Sequence, residues 1–151
     1  MTKPETIRRM ADEGWTAIAD DGFIDLAGPF FQRGAGADLT FGFPTEAKHH
    51  NRRGVLQGGA LLTFVDKAFG VAARATTQAE LVVTVQLDVH FLDAVQIGEL
   101  VETRPRVVRA TRRLIFMSAE LTVGSRAVAL ANGVWKKVGP AVAAKARVLS
   151  D

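Results

Sequence analysis

The residues best suited to chemistry lie in one stretch, His50 to Asp66, which reads HNRRGVLQGGALLTFVD. Gly58 and Gly59 open an apolar segment of helical character, and glycine amides can approach a ligand closely because no Cβ intervenes. A helix N-terminus carries unpaired N–H groups and partial positive charge, which suits it to polarise a carbonyl or hold an oxyanion. Asp66 follows two turns later, where a carboxylate is costly unless it has a partner or a chemical role.

The same residues also fit a plain reading. An ordinary loop-to-helix junction would place the two glycines there, and Lys67 or Arg74 would pair with Asp66 at the helix edge. Short motifs of this kind often occur without function. Residue chemistry alone therefore leaves the choice between a site and a junction open.

The three histidines offer weaker candidates. His49 and His50 could suggest a metal, but neighbours on an extended segment point in opposite directions, and no further histidine lies nearby in sequence. Hydrogen bonding to solvent or to the loop is therefore favoured for both. His90 shares a predicted strand face with Asp88 and Thr84, so it could line the site, although a hydrogen-bonded structural histidine is the commoner case. We predict no metal.

Composition excludes several classes of protein. The 151 residues include no cysteine, which rules out a disulfide scaffold, a thiolate nucleophile and a sulfur-ligated metal. A formal net charge of +3, with acids interspersed among bases, is not the basic stripe of a nucleic-acid binder. The sequence has no G-x-S-x-G elbow, and Gly34-Ala35-Gly36 lacks the third glycine of a dinucleotide fingerprint.

The longest apolar stretch, Val55 to Ala75, is interrupted by three charged residues and is too short to span a bilayer. The N-terminus is polar and lacks the apolar segment of a signal peptide. We therefore expect a cytoplasmic protein that binds neither nucleic acid nor membrane.

The elements that must position these residues follow from periodicity. One domain is predicted over residues 1–151, with an uninformative tail after Pro140. The central helix, from about Gly59 to Arg74, is apolar around most of its circumference, so a sheet should wrap around it. The other predicted elements are a helix over Pro4–Ala19 and strands over Phe23–Phe31, Ala37–Thr45, Val83–Phe91, Leu100–Val108, Ile115–Val123 and Ala127–Lys137.

The string N-x2-G-x-L-[HQ]-G-G-x6-D from Asn51 to Asp66, followed by an apolar helix and Val83-Thr84-Val85, resembles the phenylacetic-acid-degradation (PaaI-like) branch of the hot-dog thioesterases. In element order the resemblance extends over roughly Phe23 to Val138. It implies an α+β hot-dog fold, in which a curved antiparallel sheet wraps around one long central helix. It also implies an acyl-CoA thioesterase, active as a homodimer or homotetramer, with coenzyme A as part of the substrate and no cofactor.

The resemblance also assigns roles to residues. Asp66 corresponds to the catalytic carboxylate, as general base or nucleophile, and Thr84 to the hydroxyl that assists it. Gly58 corresponds to the amide that polarises the carbonyl, and Asn51 to the asparagine that orients the lytic water. The family places the Asn51 and Gly58 groups of one chain opposite Asp66 and Thr84 of the other.

Gln57 departs from the family, which more often has histidine before the two glycines. Glutamine cannot shuttle a proton, but its amide can donate to a carbonyl or position the substrate. This leaves Asp66 as the proton acceptor of the motif, and it favours a slow enzyme, a shifted substrate range or a non-catalytic acyl-CoA-binding module. A hydratase is the third reading, but the aspartate–histidine pair of those enzymes is not evident.

Substrate-binding candidates complete the predicted site. Gly59 opens the helix beside Gly58, and basic residues could meet the phosphates of coenzyme A, although single arginines at strand ends are usually just solvated. These basic residues are Arg52, Arg53, Arg112, Arg113, Lys136 and Lys137.

Overall fold

A computed structural model describes residues 1–139, so the tail predicted after Pro140 lies outside the described residues. The helices are α1 (Lys3–Asp12), α2 (Gly22–Ala27) and α3 (Gly58–Thr77). The strands are β1 (Thr16–Ala17), β2 (Phe31–Arg33), β3 (Thr40–Pro44), β4 (Leu81–Phe91), β5 (Leu100–Thr103), β6 (Arg106–Ala110), β7 (Leu114–Val123) and β8 (Arg126–Val138).

All eight strands join one antiparallel sheet around α3. Its order is β1-β2-β3-β5-β7-β8-β4, and β6 pairs with β7 beside that path. The apolar side of α3 packs against the inner face of the sheet, which buries Phe64, Val65 and Phe69 completely. This is the hot-dog fold that the resemblance implied. The buried residues of α3 form one apolar face and its other positions are half-buried or exposed, so in the single chain the helix is buried on fewer sides than its composition predicted.

The N-terminal helix is shorter than predicted. It ends at Asp12, and Gly14 then takes a φ of 83°, which reverses the chain. Trp15 lies beyond the helix, in a small second cluster with Met10 and Phe31. The apolar spacing continues beyond the end of the helix because Trp15 packs in that cluster, and not because it extends a helical face.

The strand predicted over Phe23–Phe31 is wrong. Residues 22–27 form α2, and only Phe31 begins β2. Ile24 and Ala27 pack against the core, whereas Phe23 remains 68% exposed. A short apolar run fits either a strand or one helical turn, and here contact with the core decides in favour of the helix.

The strand predicted over Leu100–Val108 is two strands, because β5 ends at Thr103 and β6 begins at Arg106. Pro105, which the sequence placed near an edge or a bulge, lies between them and has no N–H to give to a ladder. The segment Ala37–Thr45 is a strand only from Thr40 onward. The two long strands β7 and β8 closely match their predicted ranges.

Strand β4 forms one edge of the sheet and contains a β-bulge. Thr84 pairs with Trp135 and Gln86 with Val134, so Val85 is the extra residue. A bulge reverses the alternation of faces along a strand. Val82 before the bulge packs against the core, and so do Leu87 and Val89 after it. The prediction of one unbroken alternation from Val83 to Phe91 is therefore wrong.

Candidate active site

Asp66 and Thr84 meet on the inner face of the sheet. The Thr84 hydroxyl donates a hydrogen bond of 2.6 Å to Oδ1 of Asp66, which joins the middle of α3 to edge strand β4. Both residues are exposed in the single chain. Lys67 does not pair with Asp66, because it forms a salt bridge with Asp20. The structure thus brings together Asp66 and Thr84, two of the residues that the resemblance placed in the site.

The N-terminus of α3 presents free amides. Gln57 is the N-cap, and its side-chain Oε1 accepts a hydrogen bond of 3.0 Å from the Ala60 N–H. The N–H groups of Gly58 and Gly59 have no acceptor within residues 1–139. Because Oε1 is already occupied, the Gln57 amide group offers Nε2 as a donor, next to two free backbone donors.

A different neighbour leaves little room for a side chain at each of the two glycines. A Cβ on Gly58 would lie 3.2 Å from Cζ of Phe91, and a Cβ on Gly59 would lie 2.8 Å from Oε1 of Gln57. A side chain at Gly59 would therefore displace the Gln57 amide. Phe91 was not singled out in the sequence, where it was simply the last apolar residue of a predicted strand.

A tight turn leads into this helix end. The Asn51 Oδ1 accepts from the Arg53 N–H at 2.8 Å, and the Gly54 N–H bonds to the Asn51 carbonyl at 3.0 Å. The Asn51 side-chain NH₂ is thus the part of that amide left to meet a water or substrate. Arg52 and Arg53 are both exposed on this turn.

His49 holds the turn to the rest of the fold. Its carbonyl accepts from the Gln57 N–H at 2.8 Å, its Nδ1 accepts from the Glu46 N–H at 2.8 Å, and its Nε2 lies 2.8 Å from the Ala27 carbonyl. Burial of the ring lowers the pKa of His49 below its ordinary 6.5, which favours the neutral form that this pattern needs. His49 therefore makes the loop hydrogen bonds that the sequence favoured over a metal, and they make it a positioning residue for the turn before α3.

The two halves of the predicted site lie apart within one chain. Asp66 is eight residues after Gly58 in α3, roughly 12 Å along the helix axis at ~1.5 Å per residue. One thioester carbonyl cannot touch both groups across that distance. The single chain therefore presents two half-sites, one at Gln57–Gly59 and one at Asp66 and Thr84.

A separate cavity adjoins each half. One, of about 410 Å³, lies beside Gly58 and is lined mainly by apolar residues, including Leu61, Phe91 and Val95. The other, of about 240 Å³, contains Asp66 and Thr84.

The basic candidates also divide between the two ends of the molecule. Arg52 and Arg53 precede the first turn of α3, whereas Arg112 and Arg113 follow β6, near the Leu81 end of β4. The 20 residues of α3 span about 30 Å between these ends. One chain does not bring the two arginine pairs together.

His90 does not share a face with Thr84, contrary to the expectation that it could line the site. The bulge at Val85 places Thr84 on the inner face, with Leu87 and Val89, so His90 projects from the opposite face. In the part of the chain that the structure describes, no group of three histidine, aspartate or glutamate side chains could hold a metal ion.

Comparison with known proteins decides the family. The sequence model of the thioesterase superfamily matches residues 53–130, which include Gly58, Asp66 and Thr84. A Pseudomonas aeruginosa protein named as an esterase, PA0474, is 37% identical over 114 residues, or 74% of this chain and 85% of its own. The chain belongs to the thioesterase superfamily.

A second relative and a solved structure extend this result. Acyl-coenzyme A thioesterase 13 of Mus musculus is 27% identical over 88 residues, which cover 58% of this chain and 63% of the mouse protein. A mutant form of the phenylacetic acid degradation protein PaaI from Thermus thermophilus has a TM-score of 0.70 at 23% identity, over 78% of this chain and 100% of that one. The fold is thus that of PaaI-like hot-dog thioesterases, and thioester hydrolysis is the general activity that the relatives support.

No helix within residues 1–139 is both long and apolar enough to cross a membrane.

Proposed function

We propose that this protein hydrolyses acyl-CoA thioesters to a free acid and coenzyme A. The observation that carries the proposal is the hydrogen bond from Thr84 to Asp66, because it holds a carboxylate on the helix whose first amides, at Gly58 and Gly59, are free. A carboxylate base and preorganised N–H donors are the two parts that acyl transfer to water requires. The name of the mouse relative supports acyl-CoA as the thioester.

In the proposed reaction, Asp66 takes a proton from a water while the water oxygen attacks the thioester carbon. The Gly58 amide, assisted by Nε2 of Gln57, donates to the carbonyl oxygen as it becomes negative. Asn51 orients the water. The C–S bond then breaks, the leaving thiolate of coenzyme A takes the proton that Asp66 holds, which restores the carboxylate, and the acid leaves. Direct attack by Asp66 on the carbon, followed by hydrolysis of the anhydride, uses the same groups.

The active unit is proposed to be a homodimer, alone or paired into a homotetramer. Edge strand β4 is 11 residues long, and its apolar side chains Val83 and Val85 are 41% and 58% exposed. Such an edge favours pairing with another strand. A two-fold axis would pair β4 with its copy in antiparallel orientation, so the Leu81 end of one strand lies beside the Phe91 end of the other.

That pairing would complete the site. Phe91 contacts Gly58, and Thr84 contacts Asp66, so opposite ends of the paired strands carry complementary half-sites. Gln57, Gly58 and Asn51 of one protomer would then face Asp66 and Thr84 of its partner. The same symmetry would bring the Arg52 end of one chain toward the Arg112 end of the other, where both could meet the phosphates of coenzyme A. A cytoplasmic location stays a prediction.

The alternative is a non-catalytic module that binds acyl-CoA. Gln57 is the observation in its favour, because it stands where the family more often has a histidine and because its Oε1 is used to cap α3. One fold hosts both kinds of function.

A panel of aryl, medium-chain and long-chain acyl-CoA thioesters, assayed with a thiol-trapping dye, tests the proposal. We expect release of free coenzyme A from at least one thioester, with an Asp66→Asn variant as the matched inactive control. Tight binding of acyl-CoA without release of thiol would favour the binding module. Neither binding nor release across the panel would refute both.

A further inference from the structure

The cavity beside Asp66 has features that the reaction itself does not use. Gly70, one turn beyond Asp66 on α3, lines it, and so does Arg74, one turn further. The volume of about 240 Å³ is below the roughly 300–1,000 Å³ of ordinary ligand pockets, which fits a short arm of a substrate. The other lining residues are Ile24, Lys67, Val71, Leu81, Val82, Thr84 and Trp135.

Trp135 has an unpaired donor at this cavity. The residue is 1% exposed, and its indole Nε1 is buried without a hydrogen-bond partner in the described part of the chain. This nitrogen faces Gly70, since a Cβ there would lie 3.9 Å from it. A buried N–H without an acceptor is unfavourable, so the functional complex is expected to supply one. Gly70 lines the cavity and has no side chain to separate this nitrogen from it.

Arg74 adds a positive charge to the same cavity. It is exposed, and no carboxylate among residues 1–139 forms a salt bridge with it. Lys67, the other cation at the cavity, is already paired with Asp20. The indole N–H is thus a buried donor without an acceptor, and Arg74 is an accessible cation without a carboxylate partner among residues 1–139. A carboxylate can accept from both.

We infer that the cavity receives the acyl arm of the substrate and that this arm ends in a carboxylate. The inference rests on the proposed function, because it takes Asp66 as the point where the thioester carbon is attacked. The helix rise places Gly70 roughly 6 Å and Arg74 roughly 12 Å beyond Asp66 along the axis. A short dicarboxylic acid joined to coenzyme A through one carboxyl group would place its other carboxylate near Gly70, within reach of the long Arg74 side chain. Hydrolysis of the thioester then releases the dicarboxylic acid.

Charge is compatible with this arrangement. The distal carboxylate would lie between Gly70 and Arg74, on the side away from Asp66. Asp66 is exposed in the single chain, so solvent weakens its repulsion of the distal carboxylate. The neighbouring guanidinium offsets the remainder.

The test compares thioesters that differ only in the distal group. Glutaryl-CoA is compared with pentanoyl-CoA, and adipoyl-CoA with hexanoyl-CoA, by kcat/KM for thiol release. Hydrogen bonds to a charged group predict a preference of about 10- to 100-fold for the carboxylate member of a pair. Arg74→Gln and Trp135→Phe should each reduce that ratio about tenfold. Arg8→Gln, an exposed arginine of α1 outside the cavity, makes the same change in net charge and should leave the ratio unchanged.

Arg74 is exposed, so its variant is expected to fold even where the buried Trp135 variant does not. Equal or better hydrolysis of the neutral thioesters would overturn the inference and leave the thioesterase function intact. If no thioester is hydrolysed, the proposed function fails, and calorimetric titration with glutarate and pentanoate decides the inference separately. Glutarate binding that is weakened in Arg74→Gln supports the inference. Glutarate binding no tighter than that of pentanoate contradicts it.

Discussion

The two half-sites on α3 are built in opposite ways. At Gln57–Gly59 the functional groups are backbone amides. They remain accessible because Gly58 and Gly59 have no side chains and because Gln57 caps the Ala60 N–H instead. At Asp66 the useful group is a side chain, and a second side chain on another element, Thr84 of β4, sets its orientation. The first half depends on a turn anchored by His49, and the second depends on the position of a sheet edge.

This difference separates the kinds of change that each half can tolerate. A backbone N–H is retained in most substitutions, and it stops acting as a donor only when a side chain blocks access to it. A carboxylate fails when its ability to accept a proton is removed, although the shape of the residue is kept. Substitutions in the two halves should therefore differ in effect, and the largest loss is expected at the carboxylate.

Asp66→Asn should abolish most turnover while leaving the fold and coenzyme A binding intact. Asparagine is nearly isosteric but cannot accept a proton, and loss of a general base typically costs ~10²–10⁴-fold in rate. Steady-state hydrolysis and acyl-CoA binding by calorimetry measure the two effects. Near-wild-type turnover on a good substrate would show that the Asp66 half does not perform the chemistry.

Mixing two inactive variants tests whether the half-sites come from different chains. Asp66→Asn removes one half, and Gly58→Val places a branched side chain against Phe91 at the other. Refolding the two together should restore about a quarter of wild-type activity, since half of randomly formed dimers are mixed and each has one intact site of two. An inactive mixture that demonstrably contains mixed dimers would place the whole site within one chain.

Thr84→Val removes the 2.6 Å hydrogen bond to Asp66 and keeps the shape of the side chain. A hydrogen bond to a charged group contributes about 1.5–3 kcal/mol, so kcat should fall by roughly 10- to 100-fold. Thr84→Ser, which retains the hydroxyl, should recover most of the loss. A Thr84→Val enzyme as active as wild type would show that Asp66 needs no orientation from β4.

Gln57→Ala should reduce turnover by less than the change at Asp66, because it removes one polarising donor and leaves the backbone amides. It should also lower stability by about 1 kcal/mol or less, through loss of the cap on α3. Gln57→His restores the commoner family residue and should retain or raise activity. A loss in Gln57→Ala that equals the Asp66→Asn loss would give glutamine a central role.

The pH dependence of stability tests His49, which anchors the turn that leads into the half-site at Gln57–Gly59. Burial lowers the pKa of His49 in the folded state below its ordinary 6.5, so the unfolded chain binds more protons at mildly acidic pH. The stabilisation is complete above about pH 6.5 and is lost as pH falls from there toward the lowered pKa. Urea unfolding at several pH values should show this loss in His50→Gln as in wild type, and much less of it in His49→Gln.

Sequence alone was enough for the parts that depend on local pattern. Helix α3 was predicted because apolar residues cover most of its circumference and require burial, and one face of it is buried under the sheet. The strands β7 and β8 followed from period-two alternation. The glycines that begin α3 and the single acid within it suggested a site but did not exclude a plain loop-to-helix junction, and their roles came from the resemblance to the family.

Tertiary structure decided the remainder. The apolar run at residues 22–27 became α2 because contact with the core favours one helical turn, which periodicity over so few residues cannot distinguish from a strand. The bulge at Val85 arises from pairing with β8, and it alone places Thr84 beside Asp66 and His90 on the other face. Trp135 and Gly70 lie 65 residues apart in sequence, so only folding could bring an unpaired indole N–H to the cavity beside Asp66.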